Sequence, residues 1–332
     1  MTIQPLVNVL MPVYNGEKYL NEAINSILSQ SFTDFEFLII NDGSTDSTEE
    51  IILSYDDSRI RYVKNESNLR LIATLNKGID LCSGKYIARM DADDISTPER
   101  LKKQFDFMEK NQDVGICGTW YDTFNEMENV GSSRYLANHN EISLKHLYQI
   151  HLSHGTAMIR KCILDAHQFR FDSEFAHAED YDLFTRMAMK TRLANLPFIG
   201  YLVRQHENEV SVKFNNVQKE NSLKVRKRLF KILHTDADDK DLLAYENLNH
   251  QNYKAVNIDA DRIKFILESL YRGNTKERFI ENSLFQNHLK NLWLHYCYHT
   301  TSINFYLSSS LLSDTKKLKE VSQLKWRIKS LF

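Results

Sequence analysis

The sequence predicts an α/β protein: a mostly parallel β-sheet flanked by helices, followed by a helical C-terminal segment. Three observations support this fold class. In the first 120 residues, short apolar runs alternate with amphipathic segments, as they do in βαβ units. Polar clusters directly follow the apolar runs, where the carboxyl ends of parallel strands would meet. After about residue 213, Gly and Pro almost vanish and the apolar residues recur with a helical period.

The individual elements follow from short apolar runs and from apolar stripes. Predicted strands cover residues 6–11, 35–40, 59–63, 86–90, 114–120, 156–159 and 198–203. The first helix has its apolar residues at helical spacing, namely Leu20, Ala23, Ile24, Ile27 and Leu28. Similar stripes predict helices over residues 51–55, 71–82, 101–108, 183–189 and 263–270. Asp46 and Glu49 resemble a capping pair at the start of the second helix.

Composition and charge limit the class of protein. A chain of 332 residues can form one large domain and a smaller one. The net charge of −2 gives no global field that would attract nucleic acid, so no nucleic-acid partner is expected. The four cysteines lie far apart and are expected to be reduced. No signal peptide and no run of about 18 apolar residues occurs, which predicts a cytoplasmic protein without a membrane span.

Three acids follow the predicted strand at residues 86–90, namely Asp91, Asp93 and Asp94. Clustered carboxylates repel one another unless a divalent cation compensates their charge. Because Mg²⁺ and Mn²⁺ bind carboxylate and phosphate oxygens, the cluster predicts a metal and diphosphate site. The alternative is a solvated turn before a helix that starts near Thr97 and Pro98.

Polar residues also follow the first two predicted strands, at 12–16 and 41–46. Ligands of open α/β sheets bind beyond the carboxyl ends of the strands, so the three clusters should converge on one crevice. Neither GxGxxG nor GxxxxGK[ST] occurs, so a glycine-rich phosphate cradle is not expected.

Five linked segments resemble family 2 glycosyltransferases: VLMPVYNGEKYLNEAINSILSQSF, FLIINDGSTDST, GKYIARMDADDISTPERL, AEDYDLFTRM and YLVRQHENEVS. The resemblance covers roughly residues 5–212 and implies a bacterial, inverting enzyme with a GT-A catalytic domain at residues 1–212. Residues 213–332 would then form a helical C-terminal subdomain. Within the family, the chain is most similar to transferases that add a β-linked hexose or N-acetylhexosamine to lipopolysaccharide, lipooligosaccharide or capsule.

The resemblance implies a UDP-sugar donor that carries Glc, Gal, GlcNAc or GalNAc. Pro12, Tyr14 and Asn15 would form part of the nucleotide pocket. Asp42 would accept a hydrogen bond from uracil, which suits an acceptor-only carboxylate, whereas without the resemblance it would be a turn residue. Asp91 would hold the ribose hydroxyls.

The same resemblance makes Asp93 a ligand of the cation, with His206 as a second ligand. Imidazole suits Mn²⁺ better than Mg²⁺. Asp94 either supports this loop or caps it. Two readings also stay open for Arg70, where many relatives have glycine: a nucleotide contact or a solvated surface arginine.

Glu179 and Asp180 match the acidic pair that contains the general base. Asp180 is the predicted base, and Glu179 is the alternative or a group that orients it. Asp182 fits an acidic first turn of the following helix. His154 is a candidate contact on the acceptor side.

A glycan or lipid-linked glycan acceptor would lie at the cytoplasmic face of the inner membrane. The C-terminal segment is basic and amphipathic, with six cations at Lys316, Lys317, Lys319, Lys325, Arg327 and Lys329. Such a helix can lie on anionic lipid, or its apolar stripe can pack on the protein.

Two other classes of protein remain as alternatives to a transferase. A sugar-nucleotide nucleotidyltransferase also uses acids on an α/β sheet, but it normally has a glycine-rich, basic N-terminal signature that residues 12–16 lack. A non-catalytic nucleotide-sugar-binding protein would be indicated by loss of Asp93 or Asp180, and both are present.

Overall fold

The computed structural model describes residues 5–125, 128–206, 213–300 and 307–313. The chain divides into two compact units, residues 1–222 and 223–332. The boundary predicted at residue 212 and the basic C-terminal segment from Lys316 onward both lie outside the described residues.

The first unit is built on a mixed sheet, which has nine strands among the described residues. The strands are β1 (Val7–Val13), β2 (Phe35–Asn41), β3 (Ile60–Lys64), β4 (Tyr86–Arg89), β5 (Ile95–Ser96), β6 (Val114–Phe124), β7 (Asn129–Ser133), β8 (Met158–Arg160) and β9 (Arg192–Arg204). Their order across the sheet is β3-β2-β1-β4-β8-β6-β9-β5, and β7 pairs with β6.

The N-terminal half of the sheet is parallel, and its four predicted strands are confirmed. β1 pairs with β2 and β4, and β2 pairs with β3. Val13 lies opposite Asn41, while Leu10 lies opposite Arg89. The loops after β1, β2 and β4 therefore leave the same edge. Strand order reverses between β1 and β4, which is where open α/β sheets place a ligand.

Helices of the first unit cover this sheet. They are α1 (Leu20–Leu28), α2 (Thr48–Leu53), α3 (Leu71–Leu81), α4 (Arg100–Lys110), α5 (His139–His146), α6 (Lys161–Ala166) and α7 (Glu179–Ala188). The predicted stripe of α1 is confirmed, because Leu20, Ala23, Ile24 and Ile27 are all buried. All seven residues of β1 are also buried, as expected for a strand covered on both faces.

The predicted capping pair at α2 is wrong. The Glu49 carboxylate does not return to the start of the helix. It accepts hydrogen bonds from the Tyr62 hydroxyl at 2.9 Å and from Lys64 at 2.5 Å. Asp46 instead accepts from the Thr48 and Glu17 backbone N–H groups, which ties the loop before α2 to the loop after β1.

The other half of the sheet joins distant parts of the chain. β8 pairs antiparallel with β4 and β6. β9 is parallel to β6 and antiparallel to β5. Through these pairings β9 brings Tyr201 and Arg204 under the acidic loop that follows β4.

The second unit is helical over its described residues. Its helices are α9 (Asp239–Asn249), α10 (Ala260–Glu277) and α11 (Asn282–Thr300), together with the second half of α8, a helix that spans Asn215–Ile232. Leu267, Leu270, Phe285 and Trp293 are fully buried, so this unit has a core of its own. Among the described helices, none combines the length and the apolar character that crossing a membrane requires.

Candidate active site

The loops after β1 and β2 are joined by backbone and side-chain hydrogen bonds. Asn15 has a left-handed φ of 51°, and its side-chain oxygen accepts from the Thr45 N–H at 2.9 Å. Its own N–H donates to the Ser44 hydroxyl at 2.9 Å. Asn15 thus holds the two loops together, while the neighbouring Tyr14 side chain is 49% exposed at the crevice edge. Pro12 is buried within β1.

Asp42 follows β2 and is buried. Its Oδ1 accepts hydrogen bonds from the Asn65 side-chain amide at 2.7 Å and from the Leu69 N–H at 2.9 Å. The Asn65 amide in turn accepts from the Lys77 ammonium at 2.6 Å. The orientation of this carboxylate is therefore fixed by residues on the β3–α3 connection and on α3.

The acidic loop after β4 is held from below by β9. The Tyr201 hydroxyl accepts from the Asp91 N–H at 3.0 Å and donates to the Asp94 carboxylate. Asp94 is buried and accepts from the Arg204 N–H at 2.8 Å. Because α4 begins only at Arg100, Asp94 supports the loop and does not cap a helix.

Asp93 points to the open side of this loop and is 44% exposed. Its Oδ2 lies 3.1 Å from His206 Nε2. Burial of its surroundings, and then the negative charge of Asp91, raise the pKa of Asp93. No group of three or more His, Cys, Asp or Glu side chains placed to hold a metal occurs among the described residues.

Arg89 is a buried cation beneath the acids. Its guanidinium donates to Asp91 Oδ1 at 2.6 Å, and only 5% of its side chain is exposed. Its positive charge also lowers the pKa of Glu179, although burial of that carboxyl has the larger effect and raises it overall. Arg89 thus balances part of the negative charge that β4 and α7 bring together.

Glu179 and Asp180 form the first turn of α7. Glu179 is buried, whereas Asp180 is only half-buried and remains accessible. Burial first and the negative charge of Glu179 second raise the pKa of Asp180 to about 7, and Asp91 adds to the effect. Asp182 is buried and pairs with Arg186 at 2.6 Å, so it stabilises the helix.

The segment before β8 forms the wall behind these acids. His154 is 14% exposed, and its Nδ1 lies 3.9 Å from Glu179 Oε1. Burial lowers the pKa of His154 well below its usual value, so this imidazole is neutral. A Cβ added at Gly155 would lie 2.8 Å from Asp91 Oδ2 and 2.9 Å from the Tyr201 ring. The wall therefore packs directly against Asp91.

Three aromatic side chains, Tyr121, Tyr135 and His151, pack against one another. The half-buried Tyr135 ring lies 4.6 Å from the His151 ring and 5.8 Å from the Tyr121 ring. Burial, Tyr121 and, to a smaller extent, the charge of Asp180 raise the pKa of Tyr135.

Arg70 precedes α3 on the exposed face of the β3–α3 connection. Its φ of 70° and ψ of 161° define a backbone conformation that is essentially restricted to glycine. Its N–H donates to the Asn68 side chain at 2.8 Å. A non-glycine residue in this conformation stores backbone strain, which is a common feature of functional sites.

The predicted site residues lie at one edge of the sheet. Pro12, Tyr14, Asn15, Asp42 and Arg70 belong to the β1, β2 and β3 ends, and Asp91, Asp93, Glu179, Asp180 and His206 belong to the β4 side. The prediction had no role for Arg89, Tyr201, Asn65 or Lys77. Arg89 did give a signal, because a charged residue inside a run expected to be buried needs a partner.

Strand order reverses next to converging acidic loops, which is the place where open α/β sheets bind their ligands. The sequence profile described as glycosyl transferase family 2 matches residues 8–167. An uncharacterized glycosyltransferase of Haemophilus influenzae is 30% identical over 339 residues, which cover 98% of this chain and 95% of the relative. The putative glycosyltransferase EpsE of Bacillus subtilis is 37% identical over 190 residues, 56% of this chain and 68% of EpsE. The chain belongs to glycosyl transferase family 2 and is a glycosyltransferase.

Two solved structures share the fold. TarS 1–349 of S. aureus in complex with UDP-GlcNAc has a TM-score of 0.59 and 22% identity, covering 92% of this chain and 89% of that one. The mannosyltransferase PcManGT of Pyrobaculum calidifontis in complex with GDP-Man and Mn²⁺ has a TM-score of 0.56 and 15% identity, covering 90% and 89%. The GT-A type α/β fold expected from the sequence is confirmed.

Proposed function

We propose that this glycosyltransferase moves Glc, Gal, GlcNAc or GalNAc from a UDP-sugar to a hydroxyl group of a glycan acceptor. The transfer inverts the anomeric carbon and forms a β-linkage. Asp42 accepts a hydrogen bond from uracil, and Asp91 binds the ribose hydroxyls. Pro12, Tyr14 and Asn15 border the nucleotide. The shared fold with a UDP-GlcNAc complex supports the choice of donor.

The observation that carries this proposal is the pKa of Asp180, about 7, on a half-accessible carboxyl beside the acidic edge. A general base works best when its pKa lies near the operating pH. Asp180 therefore takes the proton from the acceptor hydroxyl as this attacks the anomeric carbon. Glu179 holds a negative charge beside Asp180 and so keeps its proton affinity high.

The residues around Asp93 fit a divalent cation. Asp93 and His206 lie 3.1 Å apart, and Asp91 adds a negative charge that raises the pKa of Asp93. Mg²⁺ and Mn²⁺ usually take one or two protein ligands and complete their shell with phosphate and water. A cation bound there would stabilise the negative charge of the departing UDP. Imidazole among the ligands favours Mn²⁺.

The acceptor side is the wall of Tyr121 and Tyr135. These half-buried side chains offer apolar rings and polar hydroxyls to a sugar, and the charge of Asp180 acts on Tyr135. We assign the acceptor to bacterial surface polysaccharide, either lipopolysaccharide, lipooligosaccharide or capsule, on the resemblance of the sequence. We place the enzyme in the cytoplasm, at the inner membrane, with the basic segment from Lys316 as its lipid contact.

A panel of UDP-, GDP-, CDP- and ADP-linked sugars tests the proposed function, with Mn²⁺, Mg²⁺ or a chelator and with donor hydrolysis as the readout. One UDP-sugar should be hydrolysed fastest, and chelation should stop the reaction. Turnover that survives chelation would remove the cation from the proposal. Preference for a donor without uracil would remove the role of Asp42.

Gly155→Ala should lower kcat/KM for the donor by about tenfold to 10²-fold, because a displacement near 1 Å of a positioned group can cost that much. Its new Cβ would force Asp91 or Tyr201 to move. Donor kinetics measure the loss, and thermal unfolding shows whether the fold survives. Gly131→Ala is the control, because Gly131 lies on the exposed strand β7 and the nearest atom to its new Cβ would be the Thr123 hydroxyl of β6, which can rotate. Equal kinetics for both variants would contradict the prediction.

Arg70→Gly should raise the free energy of unfolding by about 1 kcal/mol, because roughly 1–3 kcal/mol of strain is relieved and about 1 kcal/mol is lost to glycine entropy. Arg70→Ala keeps the strain and should not gain stability. Both variants remove the guanidinium and should weaken UDP binding by several-fold to about tenfold. Denaturant unfolding and calorimetry measure the two effects, and unchanged UDP affinity would make Arg70 a solvated arginine.

A further inference from the structure

We propose that Lys77 and Asn65 form a positioning relay that makes Asp42 select uracil over cytosine. This inference rests on the proposed function, in which Asp42 faces the base. The relay connects three side chains by short contacts: Lys77 Nζ to Asn65 Oδ1 at 2.6 Å, and Asn65 Nδ2 to Asp42 Oδ1 at 2.7 Å.

The chemistry of Lys77 fixes the orientation of the Asn65 amide. An amide carries an acceptor oxygen and a donor nitrogen, whereas an ammonium group can only donate. The Asn65 oxygen must therefore face Lys77, which leaves the Asn65 nitrogen facing Asp42. The Thr74 hydroxyl accepts a second hydrogen bond from the Asn65 nitrogen at 3.1 Å. Asn65 is 2% exposed, so water cannot readily replace these partners.

The orientation of Asn65 determines what Asp42 can offer to a base. Asn65 and the Leu69 N–H both donate to Oδ1 of Asp42. Among the described residues, no donor reaches the other oxygen, Oδ2, which remains as an acceptor for a ligand. The N3 atom of uracil carries a hydrogen and donates to such an oxygen, but N3 of cytosine is itself an acceptor. Two acceptors face each other with cytosine, so CDP is rejected.

Loss of the ammonium group at residue 77 leaves the buried Asn65 oxygen without its donor. The amide must then shift to find another donor, which weakens the hydrogen bond from its nitrogen to Asp42 and loosens the orientation of the carboxylate. UDP should bind more weakly as a result, and the preference for UDP over CDP should shrink. A residue that only maintained the fold would weaken both nucleotides equally.

Calorimetric titration of the full chain with UDP and with CDP tests the relay. Lys77→Met should lower the ratio of UDP to CDP affinity by about tenfold or more, which is the low end for a hydrogen bond to a charged group. Lys77→Arg keeps a donor and should retain most of the ratio. Asn65→Asp replaces the donor amide with a carboxylate of equal size, so it should lower the ratio as Lys77→Met does.

Lys64→Met is the matched control for charge, because Lys64 lies beside Asn65 in sequence but pairs with Glu49 on the surface. An equal loss of the ratio in this control, or a ratio in Lys77→Met within about twofold of wild type, would overturn the relay. Thermal unfolding monitors the fold of each variant, and Asn65→Asp decides the question if Lys77→Met does not fold. A wild-type protein that binds CDP as tightly as UDP would contradict uracil recognition itself, which is a failure of the proposed function.

Discussion

Asp180→Asn is expected to lower the rate of sugar transfer by at least about 10²-fold, the low end for general acid–base catalysis, and to leave UDP affinity unchanged. An amide of the same size cannot take a proton from the acceptor hydroxyl. Asp180 also lies in the first turn of α7, apart from the uracil side of the crevice at Asp42, so donor binding should not depend on it. Hydrolysis of the preferred UDP-sugar, in which water takes the place of the acceptor hydroxyl, and UDP titration measure the two quantities.

The pH dependence gives an independent check of Asp180 as the base. Its pKa is raised to about 7, so the carboxyl is protonated below that value and cannot accept a proton. The wild-type rate should rise with pH and level off above about pH 7, whereas the small residual rate of Asp180→Asn should lack this transition. Glu174→Gln, an exposed acid on the turn before α7, is the control and should keep the wild-type profile. A large loss in Glu179→Gln with Asp180→Asn unaffected would move the base to Glu179.

The parallel half of the sheet could be predicted because its signals are local. Each of β1 to β4 is a short apolar run bounded by turn residues, and each follows or precedes a helix with a clear stripe. The mixed half could not be predicted in the same way. β5 has two residues and β7 is exposed on the rim, so neither has an apolar pattern of its own. The position of β5 depends on its pairing with β9, about 100 residues away in sequence. The position of β7 depends on its register against β6.

In helix α3, the apolar periodicity predicts the buried residues only in part. Its predicted stripe is confirmed at Leu75, Ile79 and Cys82, which are buried, but the fourth member, Leu71, is 38% exposed. Thr74 and Gly78 are buried as well. The absence of a side chain at Gly78 permits the helix to approach β1, because a Cβ there would lie 2.3 Å from the Leu10 side chain. Close approach at this glycine thus adds Gly78 to the buried face of the helix, which the apolar residues alone do not reveal.

Site residues could be predicted from the sequence where they directly follow a strand or begin a helix. Asp42, Asp91, Asp93 and the Glu179–Asp180 pair stand out as acids at the ends of apolar runs or at a helix start. The groups that orient them come from other elements and have no sequence signal of proximity. Tyr201 lies 110 positions from Asp91, and Arg204 is equally far from Asp94. Only the pairing of β9 in the sheet brings these partners together.

Asp93→Asn is the second large effect, with an expected loss of at least about 10²-fold in donor turnover at a fixed low Mn²⁺ concentration. The substitution removes the negative charge that faces His206 at 3.1 Å and leaves a weak amide ligand. Part of the activity should return at high Mn²⁺, because a weakened site can still be filled by mass action. Mn²⁺ binding in the presence of UDP, followed by paramagnetic resonance, measures the affinity apart from turnover. Asp106→Asn, an exposed acid paired with Lys102 on α4, is the control.

A double variant tests whether Asp93 and His206 bind the same cation or have independent roles. If Asp93 and His206 hold the same ion, removal of either one already disrupts the site, so Asp93→Asn with His206→Asn should cost little more than Asp93→Asn alone. Losses that multiply would instead mean that the two side chains act on different parts of the reaction. Unchanged Mn²⁺ dependence in both single variants would place the cation on other ligands, even though the acids after β4 and the imidazole after β9 lie side by side.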